Sequence, residues 1–497
     1  AWEYQVVQQM LPMIGVDMLN QIAGQLVTDE NLIISFQAPE DSAVVLPTEA
    51  EAIQFLAEVK NQEIEAPVEE TIREKLVETA PKPGKIKHTQ YDEHLGTTEW
   101  TLSNGVRVVV KPTTFKQDEI LFQGMSLGGA SQVDTENLPS SMLASTIVDF
   151  SGLADMSMTD LQKALTGKNV SHSASINNNT ETVSGSSTVK DLETLLQLNY
   201  LAFTAPRRDE EAFQTLMSIL QSQLANKDKN PKAVFSDSIQ MMATNNSSRT
   251  VLENMTLVER VNLDKALEIY KARFANPADF VFTFVGNVDP QDETFKQLIC
   301  TWLGGMKTSK KREQVINHNV RAPQGICKNY FTRNMETKTA SNRIQYTSYE
   351  MPYTLANALN MEVIGRILST RYLESIRERE GGSYGVGCAG MMDILPTPCA
   401  RLIMQFDTDP EKQQKLINII HEEVNTILEN GPLANDLQKE KESMIKDFQE
   451  DLEKNGYWQT ALYMYYLYGI NYITDYQSAV ENITAESVQK TLKSLVE

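Results

Sequence analysis

The sequence lacks the residue patterns that most often mark a self-contained chemical site. It has only five histidines and four cysteines in 497 residues. No two histidines have the one-turn spacing with which a helix binds a metal ion, and no two cysteines form a C-x-x-C pair. A G-x-x-x-x-G-K-[ST] phosphate loop and a G-x-G-x-x-G loop after a strand are also absent. Residues 124–128 (GMSLG) have the G-x-S-x-G spacing but are not interpreted as a nucleophile elbow. The sequence therefore indicates no zinc-ribbon, nucleotide-binding or serine-hydrolase site of its own.

Positive charge and long apolar runs are also scarce. The chain has 45 Lys and Arg residues against 66 Asp and Glu residues, which gives a net charge of −21. Nucleic acids bind basic surfaces, so this balance argues against a nucleic-acid partner. Attraction of basic peptides and plain solubility are both compatible with it. No apolar run is long enough to cross a bilayer, so no transmembrane segment is predicted.

The few cysteines leave two interpretations open. Cys388 and Cys399 flank a predicted hairpin and would be able to pair in an oxidising compartment. Two buried free thiols are the favoured interpretation, because cysteine behaves as a small apolar residue in protein cores.

An internal repeat is visible when the ends of successive segments are compared. Residues 16–26 predict a helix, which a short apolar strand at 32–36 follows. Residues 263–274 predict a second helix, which the strand 280–285 follows. Residues 483–496 predict the same kind of helix, with no strand after it. We therefore expect the tail of one repeat, one full repeat and most of a third, with both ends of the chain resembling internal cuts.

The length also requires more than one core, and composition places the boundaries. Two polar segments without apolar periodicity are interpreted as linkers. The predicted divisions are a C-terminal tail of a preceding repeat (1–37), an acidic linker (38–97), a full unit (98–304), a polar linker (305–322) and a final unit (323–497).

An aromatic-rich helix is predicted at residues 457–472 in the final unit. Core packing is the favoured role for such a stripe, and the wall of a peptide-binding chamber is the alternative.

The most informative stretch, residues 359–390, joins a helix, a glycine turn and a strand. Apolar residues recur at spacings of three and four, which predicts one buried face. The predicted buried face consists of Leu359, Val363, Ile367, Tyr372, Leu373 and Ile376. The glycines at 381 and 382 are expected to end the helix, because glycine adopts positive φ without a Cβ clash.

Arg377 and Tyr384 stand on either side of this turn. Arg377 is expected in the last helical turn and Tyr384 just inside the strand, so that both side chains point to one side. A guanidinium and a phenol held together can donate hydrogen bonds to a peptide carbonyl or an oxyanion. The alternative is a cation that complements the helix dipole next to an ordinary strand tyrosine.

This segment resembles the Arg-x6-Tyr signature in the last domain of the pitrilysin/insulinase family, the inverzincin zinc metallopeptidases. Residues 102–110 (LSNGVRVVV) are similar to the opening strand of that family's repeats. Residues 274–289 (FANPADFVFTFVGNVD) are similar to the closing strand. The resemblance covers nearly all of residues 98–497. It implies an α+β fold of tandem related α/β units, each an antiparallel-rich sheet covered by helices on one side, as in the family's bilobed clamshell.

The resemblance also implies roles and partners. Arg377 and Tyr384 would face the substrate near the zinc, bind a backbone carbonyl and help to stabilise the tetrahedral intermediate. Arg379 and Glu374 are lesser candidates for that surface and are ranked as solvated charges. The substrates would be peptides or unfolded protein segments. An N-terminal catalytic half would supply zinc and its ligands, and bacterial relatives suggest the periplasm.

The chain departs from the catalytic repeat of that family, which carries H-x-x-E-H on a helix. The corresponding helix here, about residues 138–150, contains neither histidine nor glutamate, so no zinc is expected in this chain. His421 begins an imperfect H-E-x-x-H and is interpreted as a packing or surface histidine, and His172 is interpreted as a surface residue. His88 and His94 lie in the predicted linker, where a four-ligand site is disfavoured.

Two functions therefore follow from the sequence. The first is the substrate-enclosing C-terminal half of a zinc metalloendopeptidase, inactive alone and active in the full-length protein. The second is a catalytically inactive family member that acts as a peptide-binding or structural subunit.

Overall fold

The computed structural model describes residues 2–26, 32–38, 45–63, 73, 75–383 and 385–496. The chain divides into two compact units, Ala1–Thr71 and Ile72–Glu497.

The described residues of the smaller unit form three α-helices, which are α1 (Trp2–Met10), α2 (Val16–Leu26) and α3 (Glu49–Lys60). The predicted break near Pro12 is confirmed, because a short 3₁₀ turn separates α1 from α2. Thr48 and Glu51 form a capping box at the start of α3, in which each side chain bonds the other residue's backbone N–H. The strand predicted at 31–36 is wrong for residues 32–36, which have no regular structure.

A seven-stranded sheet is the centre of the first half of the larger unit. Its strands are β1 (Ile86–Asp92), β2 (Thr97–Leu102), β3 (Arg107–Pro112), β4 (Ile120–Leu127), β5 (Val170–Ile176), β6 (Thr180–Ser187) and β7 (Val281–Gly286). They lie in the order β1-β2-β3-β7-β4-β6-β5, and β3–β7 is the only parallel pair in this sheet. The sheet starts at Ile86, so the end of the segment predicted as a linker is an edge strand.

Eight helices accompany this sheet. They are α4 (Leu138–Ser151), α5 (Met158–Ala164), α6 (Leu192–Thr204), α7 (Glu210–Leu224), α8 (Pro231–Ala243), α9 (Met255–Arg260), α10 (Leu263–Arg273) and α11 (Glu293–Trp302). One face of the sheet, including Phe122, Phe282 and Phe284, packs with these helices, except α8, in a single apolar core.

The second half of the larger unit repeats this plan around a three-stranded sheet. Its strands are β8 (Ala340–Ser348), β9 (Gly387–Asp393) and β10 (Cys399–Thr408), in the order β8-β10-β9. Its helices are α12 (Leu355–Tyr372), α13 (Gln413–Asn430), α14 (Ala434–Asp451), α15 (Asn455–Tyr468), α16 (Tyr476–Glu481) and α17 (Ala485–Val496). The order β8-β10-β9 matches β4-β6-β5, and the five helices that follow β10 correspond to the five helices between β6 and β7.

The aromatic helix α15 leaves its own sheet and covers the second face of the seven-stranded sheet. Trp458, Ala461 and Leu462 pack against Val281 and Val285 of β7. Both faces of β7 are therefore covered, and all six of its residues are buried. The predicted core-packing role of this helix is confirmed, although the core belongs to the other half. At the equivalent place in the repeat, α8 lies beside β8.

The segment between the two halves, residues 305–322, is predicted as a linker and contains neither helix nor strand. It nevertheless follows the surface of the first half through specific contacts. Its Glu313 carboxylate pairs with Arg273, and the His318 Nε2 atom lies 2.7 Å from the Ser131 carbonyl oxygen.

Within the described part of the chain, no helix is both long enough and apolar enough to span a bilayer.

Candidate functional site

Helix α12 leads directly into the turn that holds the candidate site. Thr354 caps its N-terminus by accepting a hydrogen bond from the Asn357 N–H. Leu359, Val363 and Ile367 are fully buried, as the three-and-four spacing predicts.

After Tyr372 the helix widens into one π-helical turn, Leu373–Glu378. The Arg379 N–H donates to the Glu374 carbonyl at 3.2 Å, which is the i→i+5 bond of a π-helix. Such single turns occur frequently at functional sites. The extra residue rotates the turn, and the prediction that Leu373 is buried is wrong because this side chain is 40% exposed.

The glycine turn closes this helix end. Gly381 has a φ of +53°, and its N–H donates to the Arg377 carbonyl. The Gly382 N–H reaches back to the Ile376 carbonyl at 3.2 Å. A Cβ atom on Gly382 would lie 2.9 Å from a methyl carbon of Leu416, so a side chain at this position would require Leu416 to shift.

Arg377 is exposed on the π-helical turn. Among the described residues its guanidinium makes no hydrogen bond or ion pair. Arg379 and Glu374 are exposed as well. Tyr384 lies outside the described residues, and the strand predicted to begin near it starts at Gly387. Arg377 is therefore a five-donor group available to a ligand.

Strand β9 is set close against α12 by two glycines. A Cβ atom on Gly390 would lie 1.8 Å from the Met361 carbonyl oxygen, and one on Gly365 would lie 2.4 Å from the Gly390 nitrogen. The backbones of β9 and α12 are therefore in direct contact. This contact fixes the relative position of the two elements that the glycine turn connects.

No metal centre is formed by the described residues, since they contain no cluster of three or more His, Cys, Asp or Glu side chains. In α4, where the metal helix of a catalytic repeat would lie, buried serines face the core. His421 is exposed, and its Nδ1 atom forms a 2.9 Å hydrogen bond with the Tyr346 hydroxyl. This agrees with a packing or surface role. His88 and His94 are exposed.

His172, which is predicted to lie on the surface, is instead half-buried. It stands opposite Gly185 in the β5–β6 ladder, and its Nε2 atom is 3.4 Å from the amide oxygen of Asn199 on α6. Burial lowers the pKa of His172 to about 4. The alternation of β5 shows two faces but not which one lies under a helix, so the sequence carried no signal for this residue.

The two candidate disulfide partners are free thiols, as favoured from the sequence. Cys388 stands opposite Met404 and Cys399 opposite Asp393, so the register separates them along the hairpin. Burial raises the pKa of Cys388 to about 12, which keeps this thiol protonated.

Comparison with known proteins matches residues 260–444 to the peptidase M16 inactive domain. The chain is 26% identical over 473 residues to the zinc protease PQQL-like protein of Arabidopsis thaliana, covering 92% of this chain and 46% of that protein. It is 22% identical over 365 residues to the probable zinc protease PqqL of Escherichia coli, covering 73% and 38%. The chain thus spans about half the length of these relatives.

Solved structures share the fold. The periplasmic protease PqqL from Escherichia coli superposes with a TM-score of 0.74 at 19% identity, over 99% of this chain and 54% of that one. The ferredoxin protease FusC, a mutant in complex with Arabidopsis ferredoxin, gives 0.73 at 18% identity, over 92% and 50%. The predicted α+β fold class is confirmed.

Proposed function

From the confirmed resemblance of this chain to the C-terminal half of a pitrilysin-family peptidase, with its peptidase M16 inactive domain, we propose that it encloses the substrate of a zinc metalloendopeptidase. The substrates are peptides or unfolded protein segments, and hydrolysis belongs to the full-length protein. The relatives that support this proposal are named zinc proteases.

The observation that carries the proposal is the exposed guanidinium of Arg377, which has no partner in the described part of the chain. Exposed arginines often pair with a neighbouring carboxylate, and Glu374 and Glu378 are within one helical turn. Arg377 nonetheless has no partner among the described residues and stands on a π-helical turn. In the proposed complex it donates to a backbone carbonyl of the substrate, and the same donors stabilise the oxyanion that forms there. Tyr384 is proposed to assist through its phenol.

Zinc does not fit the residues described in this chain. The helix α4 offers serine hydroxyls where a metal helix would need two imidazoles and a carboxylate. The metal, its ligands and the general base are therefore assigned to an N-terminal half. The full-length protein is proposed to act in a bacterial periplasm, by analogy with the periplasmic PqqL.

The test is hydrolysis of peptides by the full-length protein with Arg377→Ala. Loss of an oxyanion donor should lower kcat by about a hundredfold. Arg377→Lys keeps the charge but loses the forked donor pair of the guanidinium. Its kcat should therefore lie between those of the wild type and Arg377→Ala.

Arg379→Ala is the matched control, because it removes an exposed arginine two residues away. Its activity should stay within about twofold of the wild type, which is the range of an exposed charge. Equal rates for Arg377→Ala and Arg379→Ala would contradict the role of Arg377.

The second candidate is a non-catalytic peptide-binding or structural subunit, and the match to a domain described as inactive favours it. In that case the full-length protein would bind unfolded peptides without cleaving them, and Arg377→Ala would weaken binding alone.

A further inference from the structure

The turn that carries the candidate site is attached to the sheet by hydroxyl groups. The regular β9–β10 ladder ends at the pair Gly387 and Gln405. Beyond it, the Thr408 hydroxyl donates to the Gly382 carbonyl. The Ser383 hydroxyl lies within donating distance of the Asp407 carbonyl, at 2.8 Å, and of the Gly385 carbonyl, at 3.0 Å. Two side chains thus continue the contact where backbone pairing stops, and we name this pair the hydroxyl clasp.

The clasp connects the centre of the sheet to Arg377. Thr408 is 6% exposed and pairs with Ala340 of β8, so it is fixed on its other side as well. The Gly382 N–H holds the Ile376 carbonyl, which precedes Arg377 in the π-helical turn. A change at the Thr408 hydroxyl is therefore passed through a single residue, Gly382, to the turn that bears the guanidinium.

We infer that Thr408 and Ser383 are positioning residues for Arg377. This inference depends on the proposed function, since it names the groups that set the geometry of the same site. Neither residue touches the substrate. Their hydroxyls fix where the glycine turn leaves the helix, and a displacement of about 1 Å at a reacting group can lower a rate by about a hundredfold.

The charged contacts at the same turn contribute less to holding it in place. The Lys412 ammonium donates to the Gly381 carbonyl at 3.2 Å, and Lys415 pairs with Glu380. Lys412 and Lys415 are exposed, and exposed ion pairs contribute little after solvent screening. The buried Thr408 hydroxyl is therefore the decisive member of the attachment.

The activity test compares Thr408→Val, which is nearly isosteric but lacks the hydroxyl, with Thr408→Ser, which restores it. In the full-length protein, Thr408→Val should lower kcat by about tenfold or more, and Thr408→Ser should recover it to within about threefold. Thr491→Val is the control, because Thr491 is a buried threonine of the same half on α17. The inference would be overturned if kcat fell equally in Thr408→Val and Thr408→Ser. It would also be overturned if kcat fell as far in Thr491→Val as in Thr408→Val.

A second measurement uses the chain alone and needs no activity. Hydrogen exchange of the peptide covering residues 376–387 should speed up in Thr408→Val and not in Thr408→Ser. Exchange in α17 should stay unchanged, which separates local loosening from global destabilisation. Unchanged exchange at 376–387 in Thr408→Val would also overturn the inference.

The two hypotheses fail in different ways. If Arg377→Ala leaves hydrolysis intact, the proposed function of this site fails whatever the clasp does. If Arg377→Ala lowers hydrolysis and Thr408→Val changes neither rate nor exchange, only the positioning role fails.

Discussion

The half-buried His172 should make the stability of this protein depend on pH in the acid range. The folded-state pKa of His172 is about 4, because the ring is buried against α6, whereas an exposed histidine titrates near pH 6.5. The unfolded chain therefore binds the proton more tightly. The contribution of His172 to stability should fall as the pH drops below about 6.5 and should level off below about 4.

His172→Gln tests this dependence. Between about pH 7 and about pH 4.5, the loss of unfolding free energy should be smaller in His172→Gln than in the wild type by roughly 2 kcal/mol. Urea unfolding at a series of pH values measures it. His88→Gln is the control, because His88 is exposed on the opposite edge strand, β1. Parallel pH profiles for wild type and His172→Gln would contradict the argument.

At the scale of single residues, the sequence predicted properties that follow from the residue's own chemistry better than contacts made by other elements. The free thiols of Cys388 and Cys399 and the surface setting of His421 followed from residue chemistry. The partial burial of His172 did not, because the side chain it contacts is that of Asn199, which lies 27 positions away on another element. The partnership of Arg377 and Tyr384 stays a prediction, since Tyr384 lies outside the described residues.

At the scale of elements, the contact of α12 with β9 is decisive for the site. Gly390→Ala would place a methyl group inside the Met361 carbonyl, so helix and strand must separate. We expect a loss of about 3 kcal/mol in unfolding free energy. Gly456→Ala is the control, because no atom lies within 4 Å of an added Cβ there, and it should be neutral or stabilising.

Chemical unfolding and hydrogen exchange of residues 376–387 both report on this substitution. If Gly390→Ala is as stable as Gly456→Ala, the close approach does not hold helix and strand together.

The sequence also predicted the helix, the glycine turn and the following strand in the right order. It missed the π-helical turn, because Leu373 continues the apolar spacing of an ordinary helix and nothing local indicates the extra residue. The late start of β9 at Gly387 has a similar cause, since the clasp of Thr408 and Ser383 replaces pairing that the alternation alone would extend toward the turn.

At the scale of the whole molecule, α15 joins the two halves of the larger unit. Trp458 is 9% exposed against the first sheet, and the Lys111 ammonium lies 3.7 Å from its ring centroid. Asn455 at the start of the helix accepts from the Thr113 hydroxyl and donates to Glu119. We therefore expect residues 72–497 to unfold in one cooperative step.

Trp458→Ala should lower the unfolding free energy by about 3–5 kcal/mol and should speed hydrogen exchange in β7 as well as in α15. Phe448→Ala is the control, because Phe448 is buried in the core of the second half alone. It should cost a similar free energy without selective loosening of β7. Faster exchange in α15 with unchanged β7 would show that the two halves unfold separately.

The repeat predicted from residues 263–285 and 483–496 corresponds to the equivalent order of strands and helices in the two halves. The packing of α15 on the sheet of the other half was not predictable, because the aromatic stripe of 457–472 is equally suited to any apolar face. A periodic pattern states that a side is buried and not which sheet buries it.

The placement of α15 also imposes an order of events during synthesis. The last strand of the first sheet, β7, is complete at Gly286, while Trp458 follows about 170 residues later. At the usual 5–20 residues per second, translation takes roughly 10–35 seconds to cover that distance. During this interval Val281 and Val285 have no helix over them. We therefore expect the newly made half to expose apolar surface of the kind that chaperones bind until α15 emerges from the ribosome.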